Sequence, residues 1–216
     1  MTVPRSDRAR AEWIVVVPVK APSRAKSRLD LAGVDRAALA RAIALDTLAA
    51  ASACPLVAQV VVVSDDPVLA RDSATISALR FVPEGEAHGL NGAIAAGMGA
   101  VDPDGRLSRA ALLGDLPALR PGDLAEALRA AASVRRAVVA DAEGTGSTLV
   151  TARPGAPWSS AFGDDSLARH VALGCEPLAI PLSSTLRRDV DDAAHFDAAR
   201  RLGLGVHTVA LLAPRG

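Results

Sequence analysis

The sequence has very little lysine and almost no aromatic residues. Among its 216 residues are 24 lysines and arginines, of which only Lys20 and Lys26 are lysine; tyrosine is absent, and aromatic residues make up 2%. So few aromatic rings argue against a platform on which nucleic-acid bases would stack. The formal net charge is zero, which argues against a mainly electrostatic nucleic-acid binder.

Long hydrophobic runs and paired cysteines are also missing. The longest apolar stretch, residues 56–63, contains a glutamine and is far shorter than a membrane-spanning helix. The apolar run at 13–17 is too short for a signal-peptide core and is stopped by Pro18. Cys54 and Cys175 lie far apart without a Cys-x-x-Cys, which favours two buried thiols over a disulfide framework or a zinc site. We therefore expect a cytoplasmic protein that does not bind membranes.

Short β-branched runs alternate with longer segments rich in alanine and leucine. This alternation predicts one α/β domain over 13–216, after a flexible segment at 1–12, with a mostly parallel sheet covered by helices on both faces. Strands are predicted at 13–19, 57–64, 78–82, 109–113, 137–140, 147–151 and 178–180. Helices are predicted at 35–53, 67–73, 89–101, from 121 onward, at 164–173 and, as the final helix, at 192–202. In such sheets ligands bind beyond the carboxyl ends of the strands, so the residues that follow each strand are the first functional candidates.

Both lysines fall in the loop after the first predicted strand. This loop holds four of the cations, namely Lys20, Arg24, Lys26 and Arg28. Two lysines placed at random among the cationic positions would both fall there about 2% of the time. A compact ammonium and a planar guanidinium are not interchangeable, so we interpret the loop as a triphosphate site, with chance survival on a solvated loop as the alternative. The loop has neither the phosphate-binding Gly-x-x-x-x-Gly-Lys-Ser/Thr pattern nor the dinucleotide-binding Gly-x-Gly-x-x-Gly pattern.

Carboxylates follow the fourth predicted strand and precede the last predicted helix. Asp115 lies between a glycine and a proline turn, and Asp189 and Asp191 share a face if their segment is extended. Metal chemistry on phosphates usually needs one or two carboxylates plus phosphate oxygens, so Asp115 and Asp189 are candidate ligands of a divalent cation. A turn role for Asp115, and capping of the last helix by Asp191 or Asp192, are the alternatives. Together with the lysines, these residues indicate a nucleoside-triphosphate-dependent transferase.

Six motifs in order resemble those of a known family. They are VVPVKAPSRAKSRL (16–29), GLNGAI (89–94), LLGDLPAL (112–119), GTGST (144–148), FGDDSLARH (162–170) and DVDDAAHF (189–196). The set is similar to the guanylyltransferases of coenzyme F420 biosynthesis, which act on 2-phospho-L-lactate or phosphoenolpyruvate. The resemblance covers about residues 13–203.

The resemblance implies a single-domain nucleotidyltransferase fold of the GT-A-like, Rossmann-like type. It also implies a Mg²⁺-dependent reaction of GTP with a phosphorylated three-carbon acid that releases pyrophosphate, with Lys20, Lys26 and Asp115 as catalytic residues. The nucleotide would contact Lys20, Lys26, Arg28, Ser64, Asp65 and Asn91. The acid would lie near Thr148, Gly163, Ser166 and Arg169, and the metal would bind Asp115 and Asp189.

Several of these residues also have ordinary structural explanations. The segment that holds Ser64 and Asp65 can cap the next helix, the Gly144-Thr145-Gly146 turn can be a plain hairpin, and His170 can simply cap or pack.

Three other functions fit parts of the pattern. One is another nucleotidyltransferase, such as a molybdopterin guanylyltransferase-like enzyme or a sugar-phosphate cytidylyltransferase. The second is a GTP-binding module without catalysis. The third is a glycosyltransferase on a similar fold, which usually has an Asp-x-Asp where this chain has Asp115-Leu116-Pro117.

Overall fold

The computed structural model describes residues 12–20, 29, 31, 33–86 and 89–213. Within them one sheet contains β1 (Trp13–Pro18), β2 (Val57–Val63), β3 (Leu79–Val82), β4 (Ser108–Leu112), β5 (Arg136–Ala140), β6 (Ser147–Ala152) and β7 (Glu176–Pro177). The strand order is β3-β2-β1-β4-β6-β5-β7. Four of the six pairings are parallel, and β6 runs antiparallel to both of its neighbours. The expected α/β class with a mostly parallel sheet is confirmed.

Seven α-helices accompany the sheet in the described part of the chain. They are α1 (Arg36–Ser52), α2 (Pro67–Asp72), α3 (Gly89–Val101), α4 (Pro121–Ala131), α5 (Ser166–Ala172), α6 (Ala193–Leu202) and α7 (Val206–Leu212). Local chemistry fixes where several of them begin. The Asp35 carboxylate accepts a hydrogen bond from the Ala38 amide at 2.7 Å, and Asp66 caps α2 in the same way. Across the described residues, none of the helices has the length and apolar character that a membrane crossing requires.

The central strands are buried on both faces. Val15 and Val17 of β1 pack in one hydrophobic cluster with α1 and α4, whereas Val16 packs in a second cluster with α3. This two-sided burial explains why the strand is a continuous apolar run in the sequence. Helix α3 lies so close to the sheet that a Cβ at Gly97 would overlap the side chains of Val16 and Val63. The absence of a side chain at Gly97 therefore allows α3 to pack against the sheet.

Two predictions for the C-terminal third were wrong. No strand forms at 178–180 within the described residues; the short β7 precedes it, and the Ile180 amide bonds back to the Leu178 carbonyl, which turns the chain away from the sheet. The helix at 192–202 is not the final one, because α7 follows it. The buried Asp46 of α1 stabilises the start of α7 by accepting hydrogen bonds from the His207 and Thr208 amides at 2.8 and 2.9 Å.

The N-terminal segment at 1–12 lies outside the described residues except for its last residue.

Candidate active site

A cavity of about 470 Å³ opens at the edge of the sheet where β1 and β4 end. It lies where the alternation of strands and helices predicts a ligand site. The loops after β1, β4 and β5, the start of β6, the start of α5 and the segment before α6 all contribute to its walls. Its charged and hydroxyl-bearing lining residues are Lys20, Asp115, Asp141, Thr145, Ser147, Asp164, Asp165, Ser166, Asp189 and Asp191.

Aspartates form one side of this cavity. The Val190 amide donates a hydrogen bond to the Asp115 carbonyl at 3.1 Å, which joins the segment before α6 to the end of β4. Val190 is buried in a third hydrophobic cluster, while Asp189 and Asp191 on either side of it line the cavity. The alternation expected for this segment is therefore present. Asp192 does not line the cavity; it caps α6 by accepting from the His195 amide at 2.9 Å.

Burial and like charges raise the pKa of Asp189. Burial is the larger cause, and the negative charges of Asp115 and Asp191 add to it. A bound cation would relieve that repulsion. Within the described ranges no three His, Cys, Asp or Glu side chains are grouped closely enough to hold a metal ion by themselves. The donor set fits a hard divalent cation that completes its coordination with waters and substrate phosphates.

Lys20 lies in the cavity wall directly after β1. The Val19 amide bonds to the Val63 carbonyl at 2.9 Å, so the sheet pairing continues up to the lysine. Arg24, Lys26 and Arg28 lie outside the described residues. The triphosphate role of Lys20 and Lys26 stays a prediction, with Lys20 placed on the same cavity as the aspartates.

A hairpin between β5 and β6 shapes the floor of the cavity. The Asp141 carboxylate accepts hydrogen bonds from the amides of Gly144, Thr145 and Gly146 at 2.6, 3.0 and 2.7 Å. The two strands are antiparallel, which confirms the hairpin interpretation of this turn. A Cβ at Gly146 would overlap the Asp141 carboxylate, so the turn needs glycine there.

Hydroxyl groups form the side of the cavity opposite β1. Ser166 begins α5, two residues after the predicted start of this helix, and lines the cavity together with Gly163 and Ser147. Thr148 is fully buried, is not part of the lining, and its Oγ1 has no hydrogen-bond partner in the part of the chain that the structure describes. Arg169 lies on the exposed surface of α5 and does not line the cavity. The roles of these residues in acid binding stay predictions.

The candidate nucleotide contacts on the other loops do not line the cavity. The Ser64 hydroxyl accepts from the Asp66 amide at 3.2 Å, and the exposed Asp65 accepts from the Glu84 amide at 3.1 Å. Asn91 holds the backbone of Phe162 by donating to its carbonyl at 3.0 Å and accepting from its amide at 2.9 Å. This contact positions the loop before α5, so the structure supplies a packing role for Asn91, and the nucleotide contacts stay predictions.

The sequence did not single out Asp141 and Ser147 as functional residues, although both line the cavity. Ser147 belongs to the GTGST motif, beside the Thr148 that was singled out. Asp141 precedes the same turn, where an aspartate followed by glycines is a typical turn signal. That signal could have identified Asp141 as a turn residue. The contacts of Ser147, by contrast, depend on residues far away in the sequence.

Comparison with known proteins gives one consistent result. Residues 13–176 match the family described as "Guanylyl transferase CofC like". The chain is 48% identical to a phosphoenolpyruvate guanylyltransferase of Thermomonospora curvata, over 99% of this chain and 94% of that protein. It is 46% identical to a protein of the same name from Streptomyces coelicolor, over 94% and 96% of the two chains.

Solved structures show the same fold at low sequence identity. A candidate nucleotide-diphospho-sugar transferase from Desulfovibrio desulfuricans G20 superposes with a TM-score of 0.65 at 18% identity, covering 94% of each chain. The fold, the ordered motifs and the sequence relatives agree. The chain belongs to the CofC-like family of guanylyl transferases.

Proposed function

We propose that the protein transfers the guanylyl group of GTP to phosphoenolpyruvate, or to 2-phospho-L-lactate, and releases pyrophosphate. The observation that supports this proposal is that one cavity is lined by Lys20, by the pair Asp115 and Asp189, and by a wall of hydroxyl groups. Phosphoenolpyruvate is the first choice because the sequence relatives are named for it. The guanylylated acid would then enter the assembly of coenzyme F420, as the sequence resemblance implies.

The reaction exchanges one phosphorus–oxygen bond for another. A phosphate oxygen of the acid attacks the α-phosphorus of GTP, and the bond from that phosphorus to the bridging oxygen of the β-phosphate breaks. The nucleophile is already an anion, so no strong general base is needed. The chain contributes chiefly by positioning two anions and neutralising the charge between them.

The charge of each lining residue determines its proposed role. Lys20 neutralises the phosphates of GTP next to β1, and Lys26 and Arg28 of the same loop are proposed to add to it. Asp115 and Asp189 would hold Mg²⁺, which when bound offsets negative charge on the phosphates. The wall at β6 and α5 receives the acid, because its side chains are uncharged and do not compete for the metal.

The first experiment measures pyrophosphate release by the purified protein with GTP and Mg²⁺. Phosphoenolpyruvate and 2-phospho-L-lactate are supplied in separate reactions, and ATP, CTP and UTP replace GTP in a matched series. We expect release with GTP and at least one of the two acids. A folded sample that binds GTP but releases no pyrophosphate with either acid would identify a GTP-binding module and refute the proposal.

The second experiment tests the metal-binding pair. Asp115→Asn should lower kcat by about a thousandfold or more, because a charged ligand next to the reacting phosphates is lost. The matched control is Asp104→Asn, which changes an exposed aspartate that pairs with Arg106 at 3.3 Å. The control should keep full activity, since exposed ion pairs contribute little. An Asp115→Asn enzyme with normal kcat and normal Mg²⁺ dependence would remove Asp115 from the mechanism.

A further inference from the structure

His170 is fully buried beside the cavity, and both of its ring nitrogens are bonded. The Ala161 amide donates to Nε2 at 2.9 Å, so Nε2 carries a lone pair and no proton. Burial lowers the pKa of His170 to about 4, and the ring is neutral at pH 7. The single ring proton then lies on Nδ1, which is 3.0 Å from the Ser147 Oγ and donates to it, while the Ser166 backbone carbonyl also accepts from the ring.

This tautomer determines what the Ser147 hydroxyl can do. Its oxygen accepts from His170 and also from the Ser166 hydroxyl at 3.3 Å, which uses both of its lone pairs. Among the residues that the structure describes, none accepts a hydrogen bond from Ser147. Ser147 is itself buried and lines the cavity. This hydrogen is therefore available to whatever occupies the cavity, and an anionic oxygen of a ligand is the strongest acceptor that it can meet there.

The position of Ser147 in the sheet indicates which ligand. The order β1-β4-β6 places the start of β6 two strand spacings, about 10 Å, from the end of β1 that carries Lys20. Asp115 follows β4, which lies between them. Along this edge the lysine, the aspartates and the serine therefore follow one another in that order. A triphosphate next to Lys20, with its metal at β4, leaves the β6 end of the cavity for the second substrate.

We propose that Ser147 binds the phosphorylated three-carbon acid by donating its hydroxyl hydrogen to an anionic oxygen, and that His170 is a positioning residue that directs this hydrogen. This inference rests on the proposed function and adds an acid-binding residue to it. The group recognised is a carboxylate or phosphate oxygen, which is an acceptor only.

Two substitutions of His170 separate its two hydrogen bonds. An asparagine amide nitrogen lies near the place of Nδ1, so His170→Asn can still donate to Ser147 but cannot reach the Ala161 amide. A glutamine amide oxygen can take the place of Nε2, so His170→Gln can still accept from Ala161 but cannot donate to Ser147. Ser147→Ala removes the acid contact directly.

The assay follows pyrophosphate release at saturating GTP while the acid concentration varies, and in a second series at saturating acid while GTP varies. Ser147→Ala and His170→Gln should each raise the KM for the acid by about 10- to 100-fold and leave the KM for GTP unchanged. His170→Asn should stay within about threefold of the wild-type KM, and adding Ser147→Ala to His170→Gln should raise the KM no further. His207→Asn on α7, away from the cavity, is the matched histidine control and should change neither KM. Melting temperatures show whether each variant is folded.

Two outcomes would overturn the inference. One is a Ser147→Ala enzyme whose KM for the acid stays within twofold of wild type. The other is an equal effect of His170→Asn and His170→Gln, because a purely structural histidine would not distinguish them. If wild type releases no pyrophosphate at all, the proposed function fails separately. Calorimetric binding of phosphoenolpyruvate then decides, since equal binding by wild type and Ser147→Ala refutes the role of Ser147.

Discussion

Acidification should destabilise the protein through His170. The ring is buried, and its pKa falls from 6.5 to about 4, mainly because of burial and secondarily because of the positive charge of Arg136. Between pH 6.5 and about pH 4, His170 takes up a proton in the unfolded chain but not in the folded chain. The free energy of unfolding therefore falls as the pH falls through this window. At about 1.4 kcal/mol per pH unit, the loss amounts to about 3 kcal/mol at pH 4 and is negligible above pH 7.

Urea unfolding of wild type and of His170→Gln between pH 4 and pH 8 measures this contribution. Other groups also titrate there: the raised pKa of Asp189 means that protonation relieves repulsion, which increases stability as the pH falls. The contribution of Asp189 is the same in both proteins and cancels in the difference between their unfolding free energies. The difference should change by about 3 kcal/mol from pH 7 to pH 4. A difference that does not vary with pH would refute a neutral, buried His170.

Three further substitutions test other parts of the site. Lys20→Arg conserves charge yet should lower kcat/KM about tenfold, because a planar guanidinium does not replace a compact ammonium; full activity in the pyrophosphate assay would contradict this. Asp189→Asn should raise the melting temperature of the metal-free protein by a few degrees and abolish any further rise on adding MgCl₂, as followed by scanning calorimetry. Gly146→Ala should lower the urea-unfolding free energy by about 2–3 kcal/mol, because its Cβ would displace the Asp141 carboxylate from three amides. The control Gly99→Ala meets open space within α3 and should stabilise by about 0.5–1 kcal/mol.

The sequence predicted those parts of the fold that depend on neighbouring residues. Asp35 and Asp66 directly precede helices α1 and α2 and cap them, and both helices begin close to the expected positions. Helix α7 could not be predicted in this way. Its first amides are bonded by Asp46, which lies 161 residues earlier in the chain. No local pattern around Gly205 reveals such a partner.

The residues of the candidate site also fall into two groups, those with a local sequence signal and those whose roles depend on distant contacts. Asp115 was identifiable because it follows a buried strand, and Asp189 because it alternates with Asp191 around an apolar residue. The contact between Asn91 and Phe162, by contrast, joins residues 71 apart, and the bond between Ser147 and His170 joins residues 23 apart. Such side chains look unremarkable in the sequence, since their roles come from tertiary contacts alone.

The direction of β6 explains why Ser147 in particular was missed. In a parallel sheet the ligand edge is reached by residues that follow each strand, so for the strand at 147–151 the candidates would lie after it. Strand β6 runs antiparallel to β4, with Leu112 opposite Leu149 and the Leu113 amide bonded to the Thr148 carbonyl at 3.0 Å. The first residue of β6, not its last, therefore reaches the edge of the sheet where Asp115 follows β4. Because β6 is reversed, the start of the strand, with Ser147, lies beside Asp115 at the cavity, whereas a parallel strand would place the loop after its last residue there.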